Sequence, residues 1–188
     1  MVGFFPGKNV GQSEKYYGTD GESVNKFIKN SRKLAFEQLK KNMRPGYTHV
    51  SIDAIPAFRT TRRIEGLRLI SEKDYFCHFE DSIGVTGDWR RIGPVLKIPY
   101  RSLIDGKVKN VITAGRNIAS AGDAWELTRC IPEAALTGEA AGYAVAQAIR
   151  EKQTLQQIDV SMLQKSILDN GGVIHMKEEV AALRNEQN

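Results

Sequence analysis

Apolar residues recur at three- and four-residue steps early in the chain. Val24, Phe27, Ile28, Leu34, Ala35 and Leu39 line up in this way, with Ser31 and Gln38 in the same row. That period places them on one face of a helix. Thr19 or Asp20 supplies a side-chain oxygen for an orphan N–H at its start, and Pro45-Gly46 stops it. Residues 1–18, rich in Gly, aromatics and Lys, show no period and read as an irregular lead-in. The period then shortens to two. Over residues 48–54, His49, Ser51 and Asp53 alternate with Val50, Ile52 and Ala54, as in a half-buried strand. Ile64-Glu65-Gly66-Leu67-Arg68-Leu69-Ile70 predicts a second strand and residues 95–100 a third. Residues 81–94, with Gly84, Gly87, Gly93 and Pro94 around Asp88, Trp89, Arg90 and Arg91, read as a long loop.

Residues 110–115 form a short apolar run ending in Gly115, a further predicted strand, followed by a polar crossing over 116–123. Pro132 sits where a helix can begin, and residues 134–149 are helical in pattern. The helix is rich in small residues: Ala134, Ala135, Gly138, Ala141, Gly142 and Ala146. Each glycine costs about 1 kcal/mol against Ala. Their presence predicts that a strand, another helix or a cofactor approaches the backbone closely. Asp159 or Ser161 caps a last short helix, closed at Asn170-Gly171-Gly172, and residues 176–188 read as a frayed tail. The pattern as a whole predicts a mixed α+β fold, and no internal repeat is visible.

A hydrophobic content of 41% over 188 residues suffices for one ordinary domain or two lobes. No apolar run reaches the length of a membrane span, and the N-terminus has no signal-peptide pattern. Cys77 and Cys130 lack CxxC spacing, which fits a reduced, cytoplasmic protein. The net charge of +5 is concentrated early, in Lys26, Lys29, Arg32, Lys33, Lys40, Lys41 and Arg44. Glu22 and Glu37 dilute these cations, so a solvated helix face is expected rather than a nucleic-acid surface. Neither GxGxxG nor a Walker loop appears, and the same holds for HExxH, GxSxG and metal-spaced Cys/His clusters. His49, His78 and His175 are scattered.

Several short motifs occur in order. They are Arg59-Thr60-Thr61-Arg62-Arg63-Ile64-Glu65-Gly66, Ile98-Pro99-Tyr100-Arg101, Ile112-Thr113-Ala114-Gly115-Arg116, Arg129, and Gly138-Glu139-Ala140-Ala141-Gly142. Over roughly residues 20–175 this order and spacing resembles the C-terminal part of the FAD-dependent oxidoreductase family distantly related to fumarate reductase and succinate dehydrogenase flavoproteins. The resemblance implies a substrate-domain portion over 19–100 and the last strand and helices of a flavin domain over 101–175. It implies FAD as cofactor, flanked by Ala114, Gly115, Arg116, Arg129, Pro132 and Gly138. A helix N-terminus aimed at the flavin would stabilise negative charge there. Arg59, Arg62 and Arg63 become candidates for holding a small carboxylate-bearing substrate, since a guanidinium grips a carboxylate through two parallel hydrogen bonds. The same three residues also suit an ion-paired strand edge.

The family's GxGxxG turn is missing from these residues. The chain alone is therefore expected to bind FAD weakly or not at all and to lack turnover. A missing nucleotide-binding half, or self-association through the exposed seam, is the expected partner. The alternative from another class is a non-enzymatic interaction module that keeps the fold, with a polar surface where the flavin would lie.

Overall fold

The computed structural model describes residues 16–48 and 58–176. The strand expected over 48–54, with His49, and the tail expected over 176–188 lie outside the described residues except for one position each. The fold is mixed α and β, with four α-helices and one two-stranded antiparallel sheet among the described residues. The chain divides into two compact units, residues 1–61 and 62–188.

In the first unit, helix α1 (Gly21–Asn42) starts on Asp20, whose carboxylate accepts the Ser23 N–H at 2.9 Å. This satisfies one of the orphan donors of the first turn. The helix ends three residues before Pro45. Phe27 packs between Tyr16 and Phe58, with ring centroids 5.3 and 4.8 Å apart. No residue of α1 is buried, and Lys26, Lys29, Arg32, Lys33, Lys40, Lys41 and Arg44 are all exposed. The basic cluster therefore lies on exposed surface.

The second unit is built on a hairpin. Strands β1 (Ser82–Gly87) and β2 (Val95–Pro99) pair antiparallel from Gly87 opposite Val95 to Ser82 opposite Pro99, with a bulge near Ser82. Helices α2 (Gly122–Thr128), α3 (Ile131–Glu151) and α4 (Val160–Asp169) share its core. Ile83, Leu96 and Ile98 from the hairpin meet Leu127, Ala140, Ala144, Leu163 and Ile167 from the helices. Each buried Leu or Ile contributes about 1.5–3 kcal/mol. Asp159 caps α4 by accepting the Ser161 N–H at 2.9 Å, and Gly171 follows it at φ 84°. Two long-range hydrogen bonds pin the C-terminal part: Ser82 Oγ donates to the Ile174 carbonyl at 2.6 Å, and Tyr100 OH to that of Leu155 at 2.9 Å.

Three expected elements come out differently. Residues 81–94 are not all loop, since they contain β1. Gly84 signalled a turn, but it is buried in a strand where the Leu136 side chain occupies the space of a Cβ. Residues 64–70 form no strand, because their amides reach separate turns: Ile64 bonds Asn117, Leu67 bonds Ile104, Arg68 bonds Arg101 and Ile70 bonds Ala119. Residues 110–115 likewise make only an isolated bridge, Ile112 to Ile104. In both places the backbone is satisfied by irregular neighbours, so no ladder propagates.

Candidate functional site

Five of the predicted cofactor residues, Ala114, Gly115, Arg116, Arg129 and Pro132, fall at two adjoining positions in the second unit. The first is a single 3-10 turn, Gly115–Asn117, entered through the extended Ala114. Gly115 stands at φ 77°, a left-handed conformation that glycine adopts without strain. The second position is the junction of α2 and α3. Arg129 is the C-cap of α2, Cys130 the N-cap of α3, and Pro132 lies in the first turn of α3. Proline suits that turn because its missing N–H has no intrahelical partner there. A Cβ on Gly115 would lie 3.7 Å from that of Ala134, so the turn rests against the beginning of α3.

Hydrogen bonds fix the turn from three sides. The Gly115 N–H donates to Thr137 Oγ1 at 2.8 Å, and the Trp125 indole N–H to the Arg116 carbonyl at 2.6 Å. The Ile64 N–H donates to the Asn117 carbonyl at 2.8 Å. Arg62 and Arg63, both exposed, therefore lead directly into the segment bonded to this turn through Ile64. Arg63 reaches its neighbour's carbonyl, that of Ile64, at 3.4 Å. Arg59 is exposed and belongs to the first unit.

Arg116 is exposed, whereas the Arg129 side chain is mostly buried and bonded to Glu126. Arg129 thus spends its charge on its own helix turn, and Arg116 is the solvent-facing cation of the candidate set in this turn. The N-terminus of α3 has no side-chain cap, since Cys130 supplies no capping hydrogen bond. In its first turn only the Ile131 and Glu133 N–H groups lack an intrahelical carbonyl, since Pro132 has no N–H and Ala134 donates to the Cys130 carbonyl at 3.0 Å. Burial pushes the Cys130 thiol up in pKa, and the Glu133 carboxylate adds to the effect. The cysteine is held as a neutral thiol. Glu133 is buried, bonded to the Thr86 hydroxyl through one oxygen, and its other oxygen has no partner among the described residues.

Among the described residues no strand or helix approaches the backbone at Gly138 or Gly142. Both are exposed, and a Cβ on either would meet nothing within 4 Å. They share an outward stripe of α3 with Ile131, Ala135, Val145 and Ile149, and Ile131 is 86% exposed and Ile149 73%. The small residues make an open apolar shelf. Thr137, Trp125 and Glu133 were not singled out from sequence. The signal for Thr137 was a hydroxyl in register with Ala140 and Ala144 on the buried side of α3. Trp125 and Glu133 act through contacts distant in sequence, and no local pattern exposes those. Among the described residues no group of three His, Cys, Asp or Glu side chains is arranged to hold a metal, and no helix is long and apolar enough to cross a membrane.

No curated protein and no solved structure matches the chain. A family model does, over residues 19–167, a span that holds α1, the hairpin, the Gly115 turn and the whole of α3. The chain belongs to the FAD-dependent oxidoreductase family.

Proposed function

We propose that this chain is the C-terminal part of a flavoenzyme, distantly related to fumarate reductase and succinate dehydrogenase flavoproteins, that oxidises or reduces a small organic substrate. The observation that carries the reading is the Gly115 turn seated against the uncapped first turns of α3. The positive end of the α3 dipole there suits an electron-rich edge of a planar ring. Two buried hydroxyls close in sequence to these elements, Thr113 Oγ1 and Thr128 Oγ1, have no hydrogen-bond partner among the described residues. The residues present therefore fit the ring end of FAD. They offer nothing for the pyrophosphate, because no GxGxxG turn is among them.

When bound, FAD supplies the two-electron redox chemistry. This chain's share is to hold and orient. Ala114, Gly115, Arg116, Arg129, Pro132 and Gly138 flank the cofactor, and Arg59, Arg62 and Arg63 face the substrate. Residues 19–100 carry the substrate side and 101–175 the cofactor side, in a reduced cytoplasmic setting. The glycine-rich half comes from a segment or chain outside these residues and covers the shelf of α3. The chain alone holds FAD weakly and does not turn over. A non-enzymatic module would present a polar shelf, and the exposed Ile131 and Ile149 favour the flavoenzyme.

The test is an absorbance spectrum after incubation with FAD and desalting, for the chain alone and for the chain mixed with a glycine-rich half from a family member that has both. Flavin bands only in the mixture are the expected result. Stoichiometric FAD on the chain alone would overturn the weak-binding clause, and a colourless mixture would overturn the flavin reading.

A further inference from the structure

We infer that Thr137 is a positioning residue that sets the Gly115–Asn117 turn, and with it the Arg116 side chain, for the ligand of this site. The inference rests on the flavin reading for the identity of that ligand. The geometry of the clamp stands apart from it.

Thr137 is fully buried on α3, one helical turn beyond Glu133. Its hydroxyl donates its single proton to the Glu133 carbonyl at 2.7 Å. The oxygen is then left as an acceptor, and the Gly115 N–H donates to it at 2.8 Å. The hydroxyl proton is thus committed to the helix, so the lone pairs have a fixed direction. The turn cannot swing away from α3 without stranding that amide. Trp125 and Ile64 hold the next two carbonyls, at Arg116 and Asn117, from different elements. Backbone is thus anchored on both sides of the Arg116 side chain, which points to solvent as an exposed cation. Thr137 is the anchor from α3, the helix whose N-terminus the turn adjoins. Through it, the turn and the free amides of α3 keep one spacing.

Thr137→Val keeps the shape and removes the acceptor, whereas Thr137→Ser keeps the hydroxyl. The first readout is amide hydrogen exchange on the chain without flavin. Thr137→Val should speed exchange over residues 113–118 by about tenfold, the scale of one lost hydrogen bond. Exchange in α4 should stay unchanged, and Thr137→Ser should match the wild type. The second readout is FAD fluorescence polarisation, titrated with the chain to millimolar concentration so that weak binding registers. Thr137→Val should weaken binding by a similar factor, and Thr137→Ser should restore it. If Thr137→Val does not fold, Trp125→Phe frees the Arg116 carbonyl of the same turn and should shift both readouts in the same direction. Unchanged exchange in Thr137→Val overturns the clamp. Faster exchange with unchanged FAD affinity overturns its role toward the ligand. No polarisation change with wild type, either alone or mixed with the glycine-rich half, overturns the flavin reading, and the exchange experiment still decides the clamp.

Discussion

Asp88 shows how a single carboxylate organises the loop between the two strands. Its side chain is fully buried. It accepts a two-point contact from Arg90 at 2.9 Å, a bond from Arg91 at 3.1 Å and one from Tyr75 OH at 3.3 Å. Arg90 continues to Asp123 on α2 at 3.1 Å, tying the loop to the element that ends at the candidate site. The Arg90 guanidinium holds the Asp88 carboxyl well below the usual carboxylate range. A carboxyl depressed in the folded state stabilises the fold above its unfolded pKa, and that contribution fades as pH falls through the acid range. Asp88→Asn should therefore cost about 2 kcal/mol in urea unfolding at pH 7. The same variant should lose less stability than wild type on going from pH 7 to about pH 3.5, a window set by the unfolded carboxylate. Gly66→Ala tests packing at the same scale. An added Cβ would lie 2.6 Å from that of Ala119 and 3.2 Å from the Arg101 and Ser102 carbonyls. Backbone oxygens cannot step aside, so thermal unfolding should show a loss of about 1–3 kcal/mol.

Helix α3 sets two demands against each other at the scale of an element. Gly138 and Gly142 face open space, so nothing within the described chain requires them. Gly138→Ala and Gly142→Ala should each stabilise the isolated chain by up to about 1 kcal/mol in chemical denaturation. Each should also weaken assembly with the glycine-rich half, measured by flavin retained after desalting. Better folding with unchanged assembly would show that nothing docks on this shelf. The same helix shows which signals were legible in sequence. α1, α3 and α4 announced themselves through Asp20, Pro132 and Asp159, because capping chemistry is local. β2 was legible from its alternation. β1 was hidden by Gly84, whose reason is the Leu136 side chain on a helix far along the chain. The candidate site was proposed from a set of motifs. The bonds that assemble it, from Thr137, Trp125 and Ile64 to one turn, join residues whose sequence separation no periodicity can reveal.

The second unit is closed, taken as a whole, by its own last described residues. Ile174 is buried in the core, its carbonyl is held by Ser82, and His175 stacks on His78 with ring centroids 5.1 Å apart. Lys97 Nζ lies 3.3 Å from His78 Nδ1, and Glu80 pairs with the other ring nitrogen at 3.2 Å. Burial lowers the His175 pKa, and the charges of Lys97 and His78 lower it further against an opposing pull from Glu80. An imidazole depressed in the folded state binds fewer protons there than in the unfolded chain. Stability must then fall as pH drops through the unfolded histidine value of about 6.5. Protection factors over residues 171–176, taken relative to the intrinsic exchange rate at each pH, should fall from pH 7 to pH 5, and His175→Phe, which keeps a ring in the stack, should flatten that dependence. The Trp125 contact gives the intact molecule a property of a different kind. The chain has two tryptophans, and the indole N–H of this one is committed to the Arg116 carbonyl. In a Trp89→Phe background, its emission wavelength becomes a built-in optical gauge of the Gly115 turn, readable in real time without attaching a label.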